Sequence, residues 1–215
     1  MTSTDAAPAP SITRSLFIFA ILYGGMTCIA GVLGAKQVAL GPLAVEAGIF
    51  PFLLLVVLGS TVAELHGRET ANRLVRFGFI PLLTSIALIW LVIQLPTDEG
   101  MYEPAKEAFP IILGQSWRLM AAGIIAYGVS QFLNIYLFSK IFGDSGKLLA
   151  VRAAIASAIS QIVDTIIFIT VSFYGVRPIG ELMMGQATAK VVLSLVVVPL
   201  LITGLVALGK RLDRA

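Results

Sequence analysis

The chain has 215 residues, 58% of them hydrophobic and only 13% charged, with a formal net charge of +3. A soluble domain carries roughly 45–50% apolar and about 25% charged residues, so this composition excludes a soluble enzyme domain, a disordered chain and a secreted disulfide scaffold. One cysteine, Cys28, rules out a disulfide within the chain, and with His66 the single histidine no His/Cys metal site and no other cofactor is expected.

Residues 1–14 read as a flexible cytoplasmic tail, small and polar with two prolines. A membrane helix needs about 20 mostly apolar residues to cross roughly 30 Å of hydrocarbon. Six stretches meet that need: Ser15 to Leu33, Ala47 to Leu65, Leu74 to Leu95, Arg118 to Phe138, Ala150 to Phe173 and Met184 to Leu208. The first is longer than a signal-peptide core and is followed by five more, so it is expected to stay as a helix. Between the first two, Lys36 to Phe50 is semi-apolar and punctuated by Gly41, Pro42 and Gly48. It is either a surface loop or a broken interfacial segment of the kind that lines a cavity. The expected fold class is all-α, a polytopic membrane protein of six transmembrane helices. Residues 15–208 form its single domain and 209–215 a second cytoplasmic tail.

Basic residues set the orientation, because cytoplasmic loops carry the excess of Lys and Arg. With the N-terminus inside, nine fall inside: Arg14, Arg68, Arg73, Arg76, Lys140, Lys147, Lys210, Arg211 and Arg214. Three fall outside: Lys36, Lys106 and Arg177. Both termini are therefore expected in the cytoplasm, and the acidic loop Pro96 to Trp117 outside. The basic excess is a topology signal and predicts no nucleic-acid partner. Arg118 and Arg152, at span ends, are expected to snorkel to the interface. Trp90 and Trp117 fit an aromatic belt.

Polar residues at membrane depth need a reason, since an ionisable group costs at least ~2.5 kcal/mol at the centre of a span. In the fifth span Ser157, Ser160, Gln161 and Asp164 fall on one helical stripe. The fourth repeats the device with Tyr127, Ser130, Gln131 and Asn134, and the sixth carries Gln186, Lys190 and Ser194. Ser130-Gln131-x-x-Asn134 and Ser160-Gln161-x-x-Asp164 recur 30 residues apart. At 1.5 Å per residue, Asp164 lies about 21 Å up its span and Lys190 about 9 Å down the next. The two opposite charges thus share a depth and are expected to face one another or to share a ligand. The serines read as interhelical glue. Glu64 and His66 end the second span and sit beside basic residues with which they can pair. No catalytic or nucleotide-binding motif is visible.

Four of these stretches resemble the queuosine precursor transporter family, also called the vitamin uptake transporter family. The first is Glu64-Leu65-His66-Gly67-Arg68 with Ala71, Arg73 and Gly78-Phe79. The second is Ala126 to Phe138, around Gln131. The third runs from Arg152 through Ser157, Gln161, Asp164, Thr165 and Phe168 to Gly175. The fourth is Lys190 with Pro199. Two positions depart from the family pattern: Ser60 and Asn134 stand where it usually has aspartates. The resemblance implies uptake of a deazaguanine base across the bacterial inner membrane. Asp164 would accept the adjacent N–H donors of a guanine-like edge, with Gln161, Gln131, Asn134, Lys190 and Glu64 as further polar contacts and Phe168 or Tyr127 stacked on the ring. The expected partners are that purine-like substrate and the lipid bilayer, with a homo-oligomer or an energising subunit left open. Two other readings stand beside it: a substrate-binding subunit of a vitamin importer, and a structural membrane protein that carries nothing.

Overall fold

A computed structural model describes residues 12–41, 43–115, 117–141, 148–176 and 178–214. Of the expected tail 1–14, residues 1–11 lie outside the described residues, as do Lys147 and Arg177, while Thr13 caps and Arg14 opens the first helix. The helices are α1 (Arg14–Gly34), α2 (Ile49–His66), α3 (Arg68–Gln94), α4 (Glu103–Leu113), α5 (Trp117–Lys140), α6 (Leu149–Phe173) and α7 (Gly180–Leu212). All except α4 are long and apolar enough to cross a membrane. The protein is an all-α polytopic membrane protein.

Two connections carry secondary structure of their own. Lys36 to Phe50 contains an antiparallel hairpin, β1 (Gln37–Leu40) and β2 (Leu43–Glu46), with Gln37 opposite Glu46 and Val38 opposite Val45. Its sequence mirrors itself about Gly41-Pro42, and Gly41 supplies the positive φ of 60° that the turn needs. The acidic connection after α3 contains the short surface helix α4, none of whose residues is buried.

α2 is the axle of the bundle. It packs against α1, α3, α5, α6 and α7. It joins two core clusters, using Leu53 and Val57 towards the cluster that includes Phe138 and Ile202, and Leu55 and Leu58 towards the one that includes Phe19 and Ile135. α6 lies between α5 and α7. α3 is the opposite case, with Phe77 65%, Ile80 61% and Trp90 61% exposed. Apolar side chains so exposed on a long helix mark the lipid-facing surface.

Glycine makes two junctions possible. Gly67, at φ 83°, reverses the chain between α2 and α3 in one residue. At Gly78 a methyl group would collide with the Tyr127 hydroxyl and come within 2.8 Å of the Tyr23 ring, so α3 can approach α1 and α5 there only without a side chain.

The two ends of the bundle domain meet on one face. Asp213, just beyond α7, accepts from the Ser15 amide at 2.9 Å and from the Ser15 hydroxyl at 2.7 Å. His66 Nε2 lies 2.7 Å from the same hydroxyl. A serine hydroxyl has one proton, which goes to the carboxylate, so His66 must present Nε2–H to the serine oxygen. The imidazole does not stand between serine and carboxylate as in a nucleophilic relay, and the group is a clasp joining α1, α2 and α7. The Ser15 hydroxyl and amide hold the Asp213 carboxyl below the usual carboxylate range. A depressed folded-state pKa adds stability above the unfolded value, and that stability is lost as pH falls through the folded value. Asp213→Asn is expected to lower the melting temperature in detergent near pH 7, and the gap from wild type should close as pH drops from about 4 downwards. A gap that stays constant from neutral to acid would show that the carboxylate charge is not its source.

Candidate functional site

A cavity of about 630 Å³ occupies one half of the bundle. It is bounded by the later turns of α1, α3 and α6, the early turns of α2, α5 and α7, the hairpin and the end of α4. That half lies away from the Ser15–His66–Asp213 clasp. Most of its wall is aliphatic, and Asp164, Lys190, Tyr127 and Phe168 all line it.

The charged centre is the pair expected from helix depth. Lys190 Nζ donates to Asp164 Oδ2 at 2.8 Å, and the Ser130 hydroxyl donates to Asp164 Oδ1 at 3.2 Å. The two halves of the sequence repeat therefore touch, Ser130 of one bonding Asp164 of the other. Lys190 Nζ also stands 5.9 Å from the centre of the Phe52 ring, within cation–π range. A carboxylate has about four acceptor positions, and these two donors leave others for a ligand. Tyr127 is held edge-on to Phe79, and its hydroxyl donates to the Val75 carbonyl at 3.3 Å and lies 3.1 Å from the Tyr23 hydroxyl, whose proton is free to bridge the two.

The other four candidate residues do not line this cavity. Gln161 is one turn along α6 from Asp164, and Gln131 follows Ser130 on α5. Both are completely buried, and neither end of either amide has a hydrogen-bond partner. An unpaired buried polar group costs roughly 1–3 kcal/mol, so packing alone does not account for them. Asn134 donates to the Val56 carbonyl at 3.2 Å and to the Ser60 hydroxyl at 3.0 Å. The two positions that depart from the family pattern thus bond to each other.

Glu64 lies further towards the clasp face, 3.4 Å from Arg152 Nη1. Arg152 does not snorkel as expected. It is 4% exposed, donates twice to the Phe138 carbonyl and stacks over the Phe138 ring. Burial is tolerated because the guanidinium finds a carboxylate, a carbonyl and an aromatic face together. Arg118, half-buried, stays at the end of its span and donates to the Val171 and Tyr174 carbonyls at the end of α6. His66 pairs with Ser15 rather than with a basic neighbour.

Of the two readings of Lys36 to Phe50, the structure bears out a segment that lines a cavity, but as a hairpin, which the sequence reading did not foresee. Gln37 and Glu46 line the cavity, and Gln186 on α7 donates to Glu46 Oε1 at 3.2 Å. The mirrored Gln-Val-Ala-Leu-Gly-Pro-Leu-Ala-Val-Glu stretch was the available signal: two short apolar strands about a two-residue turn, each ending in a polar residue.

A family model described as "Putative vitamin uptake transporter" matches residues 46–204, from the end of the hairpin to near the end of α7. The chain belongs to the vitamin uptake transporter family. It is also 28% identical over 158 residues to the "Probable queuosine precursor transporter" of Bacillus subtilis (strain 168), covering 72% of this chain and 68% of the relative. No solved structure gives a significant match. As a member of this family the protein is a membrane transporter; the ion pair and most of the cavity wall lie inside the matched region, while the wall supplied by α1 and Gln37 precedes it.

Breaking a buried pair by removing one partner strands a charge and costs about 3–5 kcal/mol, whereas removing both costs far less. Asp164 and Lys190 side chains are only 7% and 13% exposed. Lys190→Met alone is therefore expected to lower the melting temperature by more than Asp164→Asn/Lys190→Met together. Equal losses in the single and double variants would show that the pair is too well solvated to behave as buried.

Proposed function

We propose that the protein imports a queuosine precursor, a 7-deazaguanine base, across the bacterial inner membrane. The observation that carries this reading is the Asp164–Lys190–Ser130 centre on the wall of a half-bundle cavity. A carboxylate fixed by two donors on one side presents its remaining acceptor positions to the adjacent N–H groups of a guanine-like edge. Phe168, Phe52 and Tyr127 offer aromatic surface for the ring. A volume of about 630 Å³ falls within the range of small-molecule sites and leaves room for a bicyclic base. The name of the Bacillus subtilis relative supports the choice of ligand, and the ion pair at membrane depth supports a carried polar solute.

In this reading the charge count puts the clasp face, with Arg14, Lys210, Arg211 and the Arg68–Arg76 group, in the cytoplasm. The cavity then lies in the outer half, and the conformation is loaded from outside and shut inside. Phosphate-free bases are neutral or weakly charged, so the Lys190–Asp164 pair, with no net charge of its own, suits them better than a lone carboxylate would.

The test is rescue of queuosine-modified tRNA in a bacterium that can neither make nor import the precursor, fed deazaguanine bases. Wild-type protein is expected to restore modification, and Asp164→Asn, expressed to the same membrane level, to reduce uptake at least tenfold. Absence of rescue by well-expressed wild type would overturn the substrate. Normal uptake by the Asn variant would remove Asp164 from the site.

A further inference from the structure

Below the cavity the structure holds a layer of polar groups that the outer site does not use. Seen from the hairpin side, Asp164 and Lys190 come first. About 4.5 Å further along α6 comes Gln161, with Gln131 beside Ser130 on the neighbouring helix, and one turn on from Gln131 is Asn134. Five atoms in this layer are buried without partners: both ends of the Gln131 and Gln161 amides and the Asn134 carbonyl oxygen. The Gln131 oxygen faces α2 at Gly59, where even an added methyl group would still stand 3.8 Å away. Beyond the layer the route is closed by Arg152–Glu64 and then by the Ser15–His66–Asp213 clasp.

We infer that Gln131, Gln161 and Asn134 form a second, inner station for the substrate, separated from the cavity in this conformation by the Lys190–Asp164 bridge. Residues that served only to hold α5 against α6 would satisfy one another across the interface, as Ser157 and Ser194 do at 3.0 Å. These two glutamines satisfy nothing. A primary amide presents a donor and an acceptor side by side, which is the complement of a planar heterocycle whose ring edge carries the same pair. The bridge is a suitable barrier. A ligand whose N–H groups occupy Asp164 competes with Lys190 for the same carboxylate, so loading the outer station itself loosens the bridge. The inference rests on the transport reading for its substrate, while the barrier can be tested without any ligand.

The first arm measures thiol alkylation by N-ethylmaleimide on purified protein in nanodiscs. Cys28 lines the cavity and is the reference thiol. In a Cys28→Ala background, Gln161→Cys is expected to react at least tenfold more slowly than Cys28 does in the parent. Adding Asp164→Ala/Lys190→Ala should raise its rate at least tenfold. Asp164→Asn/Lys190→Met serves in place of the alanine pair if that variant is not monodisperse. Equal protection of the thiol with and without the bridge would overturn the inference, as would free reactivity in the parent. The second arm uses a tritiated 7-deazaguanine base. Gln161→Leu is expected to keep equilibrium binding within about threefold while losing at least tenfold in uptake. Parallel loss of binding and uptake would merge the two stations into one, and unchanged uptake would remove the inner one. Wild type that neither binds nor carries the base would overturn the proposed substrate, and the alkylation arm would still decide on the barrier.

Discussion

Everything in this bundle answers to one constraint: a carboxylate and an ammonium must be kept together where the surroundings are lipid and aliphatic side chains. Lys190 reaches Asp164 at 2.8 Å because α6 and α7 are adjacent and antiparallel, and because the two residues lie at matching heights. Ser130 from α5 then donates to the second carboxylate oxygen. Three helices are thereby committed to one arrangement: separating α6 from α7 would strand a charge in hydrocarbon, and withdrawing α5 would take a donor from the carboxylate. The need to shield that centre explains why α6 is sandwiched between α5 and α7 while α3, with no ionisable residue after Arg76, is left to face the lipid.

The same constraint organises the other end of the molecule. The clasp and the Arg152–Glu64 pair gather their donors and acceptors from α1, α2, α6 and α7, together with the Phe138 carbonyl of α5. In a soluble protein such groups would trade partners with water at little cost. Here Arg152, almost fully buried, must find its partners within the chain, while Asp213 and Glu64 remain partly exposed. α2 ends at this face with Glu64 and His66 in adjacent clusters, so the helix with the most buried surface also ties the closed end together. A change of access to the other side would have to exchange these contacts as sets, which favours two discrete conformations over a continuum.

Much of this was legible in the sequence, and the reasons are physical. The six spans follow from length and hydropathy, and the contact between Asp164 and Lys190 follows from a rise of 1.5 Å per residue on consecutive antiparallel helices. At 100° per residue Arg152 falls on a different face of α6 from Asp164, a separation that helical periodicity gives directly. It could not show that this face was buried, because a span end next to a loop looks the same whether the side chain escapes to water or finds Glu64 and Phe138. The hairpin was obscured by its length, four residues per strand, which is too short for periodicity to separate strand from loop. The division of the polar stripe into a cavity half and a sealed half was not legible at all. Gln161 and Asp164 share a stripe, and only the packing of α2, α5 and α7 around it decides which of them sees open space.

The two departures from the family pattern gain their meaning from that packing. Read separately, Ser60 and Asn134 are two neutral residues on different helices, at positions where the resemblance to the family implies carboxylates. In the fold they are one hydrogen bond, 3.0 Å from Asn134 Nδ2 to Ser60 Oγ, between α2 and α5. Two carboxylates at that distance could not both ionise, and would have to share a proton. A hydroxyl and an amide at the same place hold the two helices together with neutral groups and bind no proton in the process. In this chain the sealed layer therefore carries no titratable group of its own. Any charge that must be neutralised as a solute passes lies above it at Asp164 and Lys190, or below it at Glu64 and Arg152. A neutral amide layer thus lies between two ion pairs, and both pairs are held by partners within the bundle.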